Sequence, residues 1–150
     1  MSRKKVKQKD PITSRKIPRA VCSVPSYLKH APLWAFSRCD KEQWSLFHSG
    51  LSIINVVETL AAYEGMTWQE IQSASGGKSE GHGSNSHFVE LSALSSRAQK
   101  RAREIRLYEL TDQLFSLRLN AKSRLWGFLM EGVFYVIWFD PNHEVYPINL

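Results

Sequence analysis

The chain has 150 residues, of which 43% are hydrophobic and 23% charged, and a net charge of +6. That is the size of one ordinary domain with enough apolar material for a core, which excludes a fibrous chain or one disordered throughout. The longest strongly apolar run, Gly132 to Phe139, is eight residues against the roughly 20 that a membrane-spanning helix needs.

Residues 1–32 contain Pro11, Pro18, Pro25 and Pro32, too dense for a continuous helix. They read as a basic, partly disordered arm ahead of a single α+β domain over 33–150. Residues 1–20 hold eight Lys and Arg against Asp10, a net +7 of the total +6, which leaves −1 for residues 21–150. Such an arm attracts phosphate polyanions with a steep salt dependence, or is simply a solvated leader. No apolar h-region follows the basic start, and Cys22 and Cys39 are too few for a disulfide framework. A cytoplasmic protein is therefore expected.

The domain opens on the aromatic cluster Trp34, Phe36, Trp44 and Phe47. Leu51–Tyr63 reads as a helix that is apolar around most of its circumference and therefore well buried. Gly65 ends it. Thr67, with Glu70 at capping-box spacing, starts a short helix through Ile71. Residues 73–86 form a polar loop and His87–Leu91 a short strand. Ser95 caps a helix running to about Leu107, with Ala98, Ala102 and Ile105 as its apolar stripe and Arg97, Lys100, Arg101 and Glu104 on its wet faces.

The remainder reads as an antiparallel sheet: Leu114–Leu119, Arg124–Met130 and Val133–Phe139, with a two-residue turn at Glu131-Gly132. Asp140-Pro141-Asn142-His143 has type I turn chemistry, and Val145–Ile148 reads as a last edge strand. An unbroken hairpin register sets Phe128 opposite Tyr135, Trp126 opposite Ile137 and Arg124 opposite Phe139. Leu125, Gly127, Leu129, Phe134, Val136 and Trp138 then form the face expected under the Ala98/Ala102 helix. Ser116, Arg118, Arg124, Trp126, Phe128 and Tyr135 share the other. Arginines among aromatics suit single-stranded nucleic acid, unless helix 51–63 covers that face.

Leu117-Arg118-Leu119, Lys122-Ser123-Arg124 and Val133-Phe134-Tyr135-Val136-Ile137 resemble the C-terminal sheet of RelE/ParE-like toxins. Residues 33–150 are also similar to small bacterial proteins that share the segment at Met66–Ile71 and an "RLWG…VFY…W.DP.HEVYP" ending. The toxin resemblance implies a RelE-like fold and action on RNA or the ribosome by a metal-independent ribonuclease, or inhibition of DNA gyrase. It also implies an antitoxin partner. The N-terminal third, and Asn142–Tyr146 in place of an Arg-rich end, depart from those toxins.

Metal-free RNA cleavage needs proton carriers and cations for the developing phosphorane charge. Arg118 and Arg124 are the candidate catalytic cations, and His143 and Tyr146 the candidate proton carriers. Lys122, Arg97, Lys100, Arg101, Trp126 and Tyr135 are the candidate nucleic-acid contacts. His82, His87 and Glu90 form a second titratable group. No cofactor, metal or membrane is expected, and no Gly-rich phosphate loop or nucleophile elbow is present. The alternatives are a non-catalytic module that holds nucleic acid or protein, and a structural protein whose sheet is covered on both sides.

Overall fold

A computed structural model describes residues 26–48, 52–74 and 86–147. The expectations for the arm before Ser26, for His82 and for Ile148 lie outside the described residues. The alternating pattern after residue 112 yields β3 (Gln113–Arg118), β4 (Arg124–Met130) and β5 (Val133–Asp140) as a continuous antiparallel meander. β2 (His87–Glu90) adds antiparallel to β3, and β1 (Leu33–Ala35) adds parallel to β5. The five strands run β1-β5-β4-β3-β2. With α1 (Ser52–Tyr63), α2 (Trp68–Ser73) and α3 (Ser96–Glu104), this makes an α+β protein with a mixed, mostly antiparallel sheet.

The hairpin turn forms at Glu131-Gly132, where both residues have positive φ, 51° and 86°, the twist that a two-residue turn requires. From there Phe128 faces Tyr135 as expected. The register then slips. Gly127 pairs with Val136 while Trp126 pairs with Trp138, so Ile137 is an extra residue in β5. A side chain at Gly127 would overlap the Tyr135 carbonyl, so only glycine admits this close approach. The bulge corrects the expected register: Trp138 moves to the Trp126 side, Phe139 joins Leu125, and Arg124 faces Asp140 instead of Phe139.

Both faces of the sheet are covered, but by the opposite helices to those expected. Phe115, Leu117, Leu125, Phe134, Val136 and Phe139 pack against Val56 and Leu60 of α1 and Trp68 and Ile71 of α2. Leu114, Trp126, Phe128, Ile137 and Trp138 pack against Ala98 and Ala102 of α3, with Leu91, Leu94, Leu107 and Val145 around them. The size match explains the choice: two alanines leave room for two indoles, and close packing favours that pairing.

Helix α1 also departs from expectation. Val56 and Leu60 are buried, but Ile54 and Val57 are 60% and 59% exposed, because the helix meets the sheet along one stripe only. Tyr63 at its end donates its hydroxyl to the Arg118 carbonyl at 2.6 Å. The α2 cap forms as read, with Thr67 Oγ1 accepting from the Glu70 N–H at 3.2 Å. Trp68 is fully buried and its indole donates to the Gly132 carbonyl at 2.8 Å. Ser95 caps α3 by accepting from the Ala98 N–H, and Arg106 ends the turn in a left-handed conformation. Val145 does not begin a strand. Its N–H donates to Asp140 Oδ2, and the Glu144 N–H donates to Oδ1, both at 2.9 Å, so the carboxylate closes this turn. Among the described residues no helix is long and apolar enough to cross a membrane.

Candidate functional site

Strand register places chemistry-bearing residues in two adjacent rows on the α3-covered face. One row runs Arg118–Arg124–Asp140 across β3, β4 and β5. The next runs His87–Ser116–Trp126–Trp138 across β2 to β5. The 140–147 turn folds over them and brings Tyr146 near His87 and Trp126 of the second row. The Tyr146 ring centroid lies 6.5 Å from that of His87 and 6.5 Å from that of Trp126.

The backbone of Arg118 is held from both sides. Its N–H donates to Ser86 Oγ at 3.0 Å and its carbonyl accepts from Tyr63. Its Nε donates to the Asn120 carbonyl at 3.3 Å. The same carbonyl accepts from Arg124 Nη1 at 2.6 Å, and the Ser123 carbonyl accepts from that nitrogen at 2.9 Å. Asn120 Oδ1 closes the intervening turn by accepting from the N–H groups of Lys122 and Ser123. The expected convergence of Arg118 and Arg124 on one face is therefore present.

Arg118 is half-buried, whereas Arg124 is 1% exposed. Burial pushes the Arg124 pKa down, the repulsion of Arg118 pushes the same way, and Tyr63 and Asp140 oppose them. Arg124, expected as a catalytic cation, is thus a buried group whose charge is felt at the surface through its field.

The other candidates separate. His143 sits in a left-handed turn position, its Nδ1 within 3.0 Å of the Tyr146 carbonyl and its Nε2 buried without a partner among the described residues. It fixes the turn rather than opening to a substrate. Trp126, expected to stack on bases, is fully buried under α3. Among the described residues its indole N–H has no acceptor. Arg101, an expected nucleic-acid contact, forms a two-pronged pair with Asp40, through Nε and Nη2 at 2.7 Å each, and also meets Glu42 and Glu104. Lys122 and Lys100 are exposed. Arg97 is exposed too, paired with Glu144 at 3.3 Å and lying 4.7 Å above the Trp44 ring. Tyr135 is half-buried and stacked on Phe128, at the far end of the face from Arg118.

Asp140, Ser86, Tyr63 and Asn120 are participants that the sequence reading missed. Gly127 within an otherwise apolar strand was the available sign of a bulge, and the bulge is what sets Asp140 opposite Arg124. Among the described residues no group of three or more His, Cys, Asp or Glu is placed to hold a metal ion.

In comparisons with known proteins, no family model, curated protein or solved structure matches the chain.

Proposed function

We propose that this chain is a metal-independent ribonuclease of the RelE/ParE-like type, acting on RNA at the edge formed by Arg118, His87 and Tyr146. The supporting observation is the register: His87 and Tyr146, with ring centroids 6.5 Å apart, lie one row along the sheet from the Arg118–Arg124 pair, whose second arginine is buried. In such a site one proton carrier takes the 2′-hydroxyl proton as that oxygen attacks phosphorus. The other protonates the departing 5′-oxygen, leaving a 2′,3′-cyclic phosphate and a free 5′-hydroxyl. An imidazole both accepts and donates a proton, so His87 takes the role expected of His143, with Tyr146 as its partner. Arg118, backed by the field of Arg124, stabilises the phosphorane charge. Exposed Lys122, Lys100 and Arg97 supply phosphate contacts along the strand. Under this reading the cellular target is RNA or the ribosome, and an antitoxin protein holds the chain inactive.

A second reading, a non-catalytic RNA-binding module, is favoured by one observation: Arg124 donates to the carbonyls of its own turn. Single-stranded RNA oligonucleotides, with and without a 2′-deoxy substitution, separate the two. The ribonuclease cleaves only where the 2′-hydroxyl is present, and Arg118→Ala, His87→Ala and Tyr146→Phe each lower the rate without unfolding the protein. Salt-dependent binding without cleavage would replace the enzyme by the module. Failure to bind or cleave RNA, alone or with ribosomes, would remove both.

A further inference from the structure

A cleft of about 330 Å³ lies between residues 37–42 and the C-terminal end of α3, on the β5 side of the sheet. It is independent of the His87 edge, which lies at β2. Ile105, Leu107, Leu110 and Ile137 make an apolar lining, and Arg38 and Lys41 stand on the rim. The Arg38 guanidinium lies 6.0 Å from the centroid of the Phe128 ring, which places a cation beside apolar surface.

The acids of this cleft are already engaged. Asp40 Oδ1 accepts from Arg101 Nη2 at 2.7 Å and from the N–H groups of Glu42 and Gln43 at 2.9 and 3.3 Å. Asp40 Oδ2 accepts from Arg101 Nε at 2.7 Å and from the Trp138 indole at 3.0 Å. Glu42 lies 3.2 Å from Arg101. A cationic guest would find the wall carboxylate saturated with donors, whereas an anion would meet Arg38 and Lys41.

We propose that this cleft binds a small aliphatic carboxylate, its chain on Ile105, Leu107, Leu110 and Ile137 and its head group between Arg38 and Lys41. At about 30 Å³ for each water-sized group, the space holds roughly ten such groups, which fits a medium-chain acid.

Octanoate is the probe, with octylamine and octanol as its cationic and neutral counterparts, titrated into the full chain and followed by amide chemical shifts. Octanoate gives saturable shifts centred on Lys41, Ile105 and Leu110, and binds about tenfold or more tighter than octylamine. The exposed-residue variant Arg38→Gln/Lys41→Gln weakens octanoate by about tenfold with the rest of the spectrum preserved. Leu110→Arg, which fills the cleft, abolishes the shifts there. Equal binding of octylamine, unsaturable shifts, or unchanged affinity in the double variant would each overturn the site.

Discussion

Two arginine–aspartate clusters lie under the same helix-covered face, and their chemistry differs. At Asp40 the arginine is outnumbered: Arg101 meets Asp40, Glu42 and Glu104, and every Asp40 oxygen accepts at least two donors. At Asp140, among the described residues, Arg118 and Arg124 share a row with one carboxylate, which also holds two backbone N–H groups. Burial alone does not distinguish these clusters, since both aspartates are almost fully enclosed. Stoichiometry does. A cluster with acid to spare closes on itself and ties the 36–44 segment to α3. A cluster with two guanidiniums in one row raises the positive potential at its rim, which suits phosphate.

The sharpest test of that contrast is Asp40→Ala. It strips Arg101 and the Trp138 indole of their acceptor, and denaturant unfolding should show a loss of about 3–5 kcal/mol. Gly127→Ala attacks the bulge that pairs Arg124 with Asp140. Its side chain would strike the Tyr135 backbone, and roughly 3 kcal/mol should be lost, the upper end for overpacking. Arg124→Met should cost only about 1 kcal/mol, because Asp140 keeps its two backbone donors and Arg118 is relieved of a repelling neighbour. The same variant should lose RNA cleavage, and a large stability loss instead would make the two clusters equivalent. Glu144→Gln weakens exposed contacts to Arg97 and Trp44, and the melting temperature should move by less than the equivalent of about 1 kcal/mol.

Acid should test the Asp40 cluster directly. Burial raises the Asp40 pKa, but the hydrogen bonds from Arg101, Trp138 and the Glu42 and Gln43 N–H groups outweigh it and hold the carboxyl at about 2, below its ordinary 3.8. A depressed carboxyl stabilises the fold above the unfolded value and loses that contribution as the pH falls through the folded one. Stability should therefore decline between about pH 4 and pH 2, and Asp40→Asn should flatten that limb of a pH series of urea midpoints.

The contrast also marks what a sequence can carry. Alternation along 114–139 and the Glu131-Gly132 turn fix the meander, because both are local and have period two. The Thr67 and Ser95 caps are equally local. The helix–face assignment is not: Ala98 and Ala102 state only that α3 has a narrow apolar stripe, and the choice of Trp126 and Trp138 as its partners depends on side-chain volumes across the sheet. One bulge residue, Ile137, then inverted the facing of Trp138 and Phe139, which no alternation rule predicts. For the candidate site, Arg118 and Arg124 were legible on one surface, and Tyr146 as a proton carrier beyond the sheet's end. His87 drew notice only as a partner of His82. Arg101 looked like any other basic residue of its helix, since its acid, Asp40, lies 61 positions away.

The parallel pairing of β1 with β5 joins Leu33 to Val133, segments made early and late in synthesis. On a ribosome, β1 emerges long before β5, its neighbour among the described residues, exists, with Trp34 and Phe36 waiting for a partner. Closing so long a loop is entropically slow, and the sheet cannot be completed until the β4–β5 hairpin is available to β1. The Arg118 row depends on that same hairpin through Asp140. Any activity seated there therefore waits on the same long-range closure that seats β1.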